Sequence, residues 1–255
     1  MGSLLEMLGK GLEKPFMELI LPGARPLKAA EAQLLQEQLQ RCPGHRANQL
    51  RLGIHYAQSG AEEKARRIFQ EILKQEPGHM EARLAWAALH MSLGELGEAI
   101  EQLEKSYHRD PHDSRVTYGL GLCYERLGQS PAAQRYYREA TRGHPYLRKA
   151  RERRAAMCLR AQDYAGAAKQ YLRLQEEHPE DVPVYLFLGQ LHLLQQEYEQ
   201  AEKAFERAIT IEPDNFDLHD DQVEALLKED RLDEAIERME ALTDHQGQFA
   251  DNYHS

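Results

Sequence analysis

The sequence predicts an all-α protein, an α-solenoid of stacked helix pairs, and three observations carry that prediction. Ala, Leu, Glu, Gln, Arg and Lys dominate the 255 residues, whereas Val, Ile and Thr together supply only 16. That composition favours helices and excludes mainly β and Rossmann-type folds. Prolines recur at one unbroken interval, at Pro43, Pro77, Pro111, Pro145, Pro179 and Pro213, which marks an internal repeat. An alanine column keeps the same phase, at Ala65, Ala99, Ala133, Ala167, Ala201 and Ala235, and a small side chain there lets two helices approach closely.

Each unit reads as two amphipathic helices of about 12 to 15 residues joined by a short polar turn, marked by Gly60, Gly94 and Gly128 in the first three. Four residues after each alanine stands a bulky residue on the same helical face: Phe69, Leu103, Tyr137, Tyr171, Phe205 and Met239. These are expected to act as knobs against the neighbouring helix. Ser130 before Pro131 has the chemistry of an N-cap and first turn, and the ladder prolines lack the backbone donor that would continue a helix. No single pair can bury its apolar face, so neighbours must stack along one axis.

The boundaries that follow are a capping region over 1–45, six units (46–79, 80–113, 114–147, 148–181, 182–215 and 216–249), and the start of an incomplete seventh over 250–255. Pro43 places a helix from about Leu27 to Arg41 in the second-helix position of a degenerate repeat. Upstream, Leu4, Leu5, Leu8, Leu12, Phe16, Leu19 and Ile20 form an apolar stripe. It suits either a cap folded onto the first unit or a segment that docks on a membrane surface or a partner. Glu6 stands where a myristoylation signal needs Ser or Thr, which excludes lipidation at Gly2.

The bulky-small pairs Leu52-Gly53, Leu120-Gly121 and Leu188-Gly189, the tyrosines Tyr56 and Tyr124, then alanine, an aromatic and proline, in a unit of about 34 residues, resemble the tetratricopeptide repeat family. The resemblance runs over residues 46 to 249. It implies the right-handed superhelix of stacked antiparallel helix pairs of that family and binding of proteins or peptides, without naming a partner. The fourth and sixth units depart from the pattern. Arg154, Cys158, Gln222 and Val223 replace the expected side chains, so their first helices are expected to shift or tilt.

The sequence carries few chemical motifs. Mean hydropathy is −0.70, and the first residues lack a signal-peptide core. No apolar run approaches the length of about 20 residues that a membrane-spanning helix needs, so the expectation is a cytoplasmic protein without a membrane span. Cys42, Cys123 and Cys158 form no CxxC pair. His45, His79, His112, His144 and His178 follow the repeat turns, and Pro111 interrupts the His108–His112 spacing that a helical metal site would need. There is no HExxH, Walker or GxSxG motif. The expectation is no catalysis, no metal and no cofactor.

Charge is distributed unevenly. Residues 126 to 160 hold ten basic side chains against two acidic ones, a net of +8, whereas fourteen acids against three bases after residue 211 give −11. The total of −10 argues against general nucleic-acid binding. By the resemblance, the first helix of each pair lines a concave surface. The corresponding columns hold Leu50, Ile54, Leu84, Met91, Tyr118, Leu122, Arg126, Lys149, Arg153, Arg160, Leu186, Gln190, Asp217, Asp220 and Glu224. Such a groove would pass from apolar through basic to acidic and suit a protein or peptide with apolar anchors and an acidic stretch. Leu50 and Ile54 stand where chaperone-adaptor members carry their carboxylate clamp, so that clamp is absent. The function expected is a non-enzymatic protein-interaction scaffold. The alternatives are the recruiting domain of a larger enzyme or assembly, and a self-associating oligomer joining the acidic end to the basic belt of another copy.

Overall fold

The computed structural model describes residues 27–142, 147–213, 216–236 and 239, without the side chains of residues 147 and 216–219. The N-terminal apolar stripe and the expected seventh unit lie outside the described residues. Every regular element among the described residues is an α-helix, and they group into two compact units, residues 27–150 and residues 151 onward.

The first unit contains α1 (Ala29–Arg41), α2 (Arg46–Gln58), α3 (Glu62–Gln75), α4 (Met80–Ser92), α5 (Leu96–Arg109), α6 (Ser114–Arg126) and α7 (Ser130–Ala140). Each helix packs on the next, and α2 also reaches α4. The second unit contains most of α8 (Leu147–Arg160), then α9 (Tyr164–Glu177), α10 (Val182–Leu194), α11 (Tyr198–Ile211), α12 (Phe216–Lys228) and a further helical stretch over 232–236. Here α9 packs on α10, α10 on α11 and α11 on α12. The origin of the period is visible in the second pair. A 13-residue first helix, a three-residue turn, a 14-residue second helix and a four-residue link carry the chain from Met80 to Ser114, the same position in the next repeat.

The links end on prolines for a local reason. Cys42, Glu76, Asp110, His178 and Glu212, each immediately before a ladder proline, share φ between −139° and −127° and ψ between 72° and 92°. A following proline ring excludes the helical region for its predecessor, so the helix stops there. The next helix starts under a side-chain cap. Nδ1 of His45 and of His79 each accepts from the backbone three residues on at 3.3 Å, and Oδ1 of Asp113 accepts from Arg115 at 2.8 Å. Two of the turn histidines therefore have a structural task. Ser130, expected as an N-cap, is instead the first helical residue. Gln129 is the cap without a side-chain bond, because the turn geometry is fixed by the residue before it.

That geometry recurs six times. Gly60, Gly94 and Gly128 have φ of 76°, 78° and 73°, and Gln162, Gln196 and Asp230, in the same column, have 57°, 61° and 61°. The left-handed turn is imposed by the helix pair whether or not glycine is present.

All six column alanines are fully buried, and the knobs Phe69, Leu103, Tyr137, Tyr171 and Phe205 are 2% exposed or less. Burying each such side chain contributes about 1.5–3 kcal/mol. Met239, the sixth knob, is 54% exposed, unlike its five counterparts. Opposite three of the knobs the column residue is glycine: Gly53 meets the ring of Phe69, Gly121 that of Tyr137, and Gly189 that of Phe205.

Candidate partner-binding surface

The first helices position most of the side chains expected to line a groove, but burial sorts them into two sets. Ile54, Leu84, Met91, Tyr118 and Leu122 are buried. Leu84 presents no surface at all, and Tyr118 lies against the ring of Tyr137 with centroids 5.7 Å apart. These five pack between helices within the first unit and offer a partner little surface there. Apolar side chains on a half-covered helix face gain more from the neighbouring helix than from solvent. Leu50 and Leu186 are intermediate, each seated at the edge of a core cluster.

The polar positions remain accessible. Arg126 and Lys149 belong to the first unit, and Arg153, Arg160, Gln190, Asp220 and Glu224 to the second. Arg126, Arg160, Asp220 and Glu224 are exposed, and the others are half-buried. Asp217 falls in the first turn of α12, and its side chain lies outside the described residues. Several of these groups are held in place. Nη1 of Arg126 donates to the carbonyl of Met91 at 2.9 Å, closing the C-terminal end of α4. Gln190 donates to Oδ1 of Asp221 at 2.7 Å, and Lys228 to Glu224 at 2.6 Å.

A second set of polar groups lies at the turns between paired helices. In the first unit His90, 4% exposed, shares a 2.6 Å bond between Nδ1 and Oε2 of Glu95, and Arg66 donates to both oxygens of that carboxylate at 2.7 and 2.8 Å. The hydrogen bonds from Arg66 and then His90 hold the Glu95 carboxyl below its ordinary range. His192 and Glu197 repeat the bond at 2.6 Å in the second unit. The spacing of His and Glu across the turn, repeated three periods later, was the available signal.

Among the described residues no group of three or more His, Cys, Asp or Glu is placed to hold a metal ion, and no helix is long and apolar enough to cross a membrane. Burial pushes the Cys123 thiol up to about 12, and burial followed by Asp163 raises that of Cys158.

Helix pairs on one constant period, each with a buried alanine and a bulky knob and all but the last closed by a proline, define a class of helical-repeat protein. Models of the tetratricopeptide repeat match residues 84–147, 118–182 and 159–216, and a second such model matches 56–104 and 194–255. The chain belongs to the tetratricopeptide repeat family. A curated relative, anaphase-promoting complex subunit 7 of Arabidopsis thaliana, is 29% identical over 92 residues, which are 36% of this chain and 16% of that protein. The chain thus aligns with only a small part of that relative's length. Among solved structures, pilF of Pseudomonas aeruginosa superposes with a TM-score of 0.57 at 19% identity, covering 76% of this chain and 88% of that one. A tetratricopeptide repeat protein of Parabacteroides merdae gives 0.54 at 17%, covering 94% and 92%. YrrB, described as having an unusual peptide-binding site, gives 0.51 at 17%, covering 72% and 95%. At these identities the likeness is one of fold.

Proposed function

We propose that the protein is a non-enzymatic scaffold that binds a protein or peptide segment on the first-helix surfaces of its repeats, in the cytoplasm. The observation that carries the reading is the division of those surfaces. Their apolar column residues are spent on packing, while charged and amide groups, Arg126, Lys149, Arg153, Arg160, Gln190, Asp220 and Glu224, stay within reach of solvent. Polar, pre-positioned side chains on a rigid helical frame suit recognition of a charged segment. Within the first unit Arg126 and Lys149, and within the second Arg153 and Arg160, would each contact acidic side chains of a partner, with Leu50 and Leu186 as partial apolar anchors of their own units. The peptide-binding site attributed to YrrB supports this reading by analogy of fold. The test is charge reversal of Arg126, Lys149 and Arg153 against a partner isolated from the native cell. Binding should weaken, and unchanged affinity would discard the charged-surface reading.

A second reading is favoured by the relative that is itself a subunit of the anaphase-promoting complex, together with Leu227, Leu232 and Ile236, each about half exposed near the end of the second unit. On this reading the chain is a recruiting or architectural part of a larger assembly. Light scattering on a tagged chain of these 255 residues recovered from the native cell would distinguish the two, since a free scaffold gives its own mass of 29.4 kDa and a part of an assembly a larger one.

A further inference from the structure

In the first compact unit two arginines converge on one link. Arg83, near the start of α4, donates to the carbonyl of Pro77 and, through Nη1, to Oε1 of Gln102 at 3.2 Å. Arg109, from the last turn of α5, lies over the adjacent Gly78, where any side chain would collide with its guanidinium. Burial and then the charge of Arg109 hold the pKa of Arg83 below its ordinary value. Arg109 is exposed, and among the described residues it pairs with no carboxylate.

The repeat supplies an internal comparison. Two periods on, the same two columns hold Arg151 and Glu177, and there the slot is neutral, with Nη2 of Arg151 3.2 Å from Oε1 of Glu177. One period earlier, the columns hold Gln49 and Gln75. Gln49 donates to the carbonyl of Pro43 at 2.8 Å, and Gln75 accepts from Arg46. The occupants differ between the three repeats: in the first, Gln49 anchors to the proline link while Gln75 pairs with Arg46 and nothing stands over Gly44, and in the fourth Arg151 faces an acid. In the second repeat alone of these three, both positions are cationic.

We propose that the Arg83–Arg109 slot docks a carboxylate side chain from an acidic segment of a partner protein, which takes the place that Glu177 fills in the fourth repeat. Two guanidiniums held close together repel one another until an anion arrives. Guanidinium forks match a carboxylate with paired, charge-assisted hydrogen bonds. Gln102 and the Pro77 carbonyl fix Arg83, so the entropy lost on docking falls mainly on Arg109. Neither arginine belongs to the surface set proposed above, so this site stands or falls separately from that reading.

The test is fluorescence anisotropy of a fluorescein-labelled deca-glutamate peptide titrated with the full chain at about 50 mM salt, where screening is weak. Saturable binding is expected, weakened by more than about tenfold in Arg109→Glu. That variant should melt no lower than the parent, because the new carboxylate faces Arg83 as Glu177 faces Arg151. Arg67→Glu, an equal change of net charge at an exposed position on α3, should leave affinity within about twofold. Absence of saturable binding, unchanged affinity in Arg109→Glu, or equal losses in the two variants would overturn the site. A loss confined to reversal of Arg126, Lys149 and Arg153 would also overturn it while leaving the scaffold reading in place.

Discussion

Gly121 lies against the ring of Tyr137 so closely that a side chain's first carbon at that position would sit 2.5 Å from both Cδ1 and Cε1. The ring is fully buried and its hydroxyl donates to Oε2 of Glu125 at 2.6 Å, so it cannot swing aside without losing both packing and a hydrogen bond. Gly121→Ala should therefore destabilise by about 1–3 kcal/mol through overpacking, outweighing the gain in helix propensity of about 1 kcal/mol. Gly97→Ala, in α5 where nothing stands within 4 Å, should be neutral or stabilising. Urea midpoints of the two variants check the contrast.

The left-handed turn column predicts the opposite sign elsewhere. Gln162, Gln196 and Asp230 adopt a backbone that costs a side-chain-bearing residue about 1–2 kcal/mol. Part of that returns as the greater unfolded-state entropy of glycine. Each of Gln162→Gly, Gln196→Gly and Asp230→Gly should raise stability, by about 0.5–1 kcal/mol, and Gly94→Ala should lower it. Thermal melts of the four single variants decide the matter.

Stability should fall with acid in a defined window. Glu95 is held below its ordinary value of 4.5 by hydrogen bonds from Arg66 and His90, Glu101 by Lys105, Glu199 by Lys203 and Glu234 by Arg231. A carboxylate depressed in the folded state stabilises that state fully above its unfolded value and loses the contribution as pH falls through the folded value. Stability should be flat with respect to these groups above about pH 5 and decline below pH 4.5. Glu95→Gln should flatten that decline in a pH series of urea midpoints.

The three thiols should separate by rate. Cys42 is exposed, Cys158 is half-buried with its thiol raised by burial and Asp163, and Cys123 is buried with its thiol at about 12. Titration with a thiol reagent near pH 8 should show one fast group, one slow group and a third released only on unfolding.

The period, the alanine column and the knobs were legible because each is a steric demand that a residue's identity answers directly. A buried contact with no room admits little besides alanine, and a helix that must stop is stopped by proline. The conformation at Gln162 and Gln196 was not legible, because neither residue advertises a left-handed backbone and only their phase with Gly94 and Gly128 points to it. His45 and His79 read as repeat ornament, although their imidazoles cap helices. Leu84 and Tyr118 read as groove lining because column position gives the face of a helix without saying whether a neighbour already covers it. Charged positions such as Arg126 and Asp220 kept their exposure, since burying an unpaired charge costs far more than burying a leucine returns.

The proposed scaffold role is tested most directly by placing a photo-crosslinking residue in turn at Arg126, Arg153 and Asp220 on the first helices and at Lys105 and Lys203 on the second, and irradiating in the native cell. Adducts to a protein partner from the first three positions, with little from Lys105 and Lys203, are the expected result. Adducts only from the second-helix positions, or none from any of the five while the protein is folded and expressed, would contradict it.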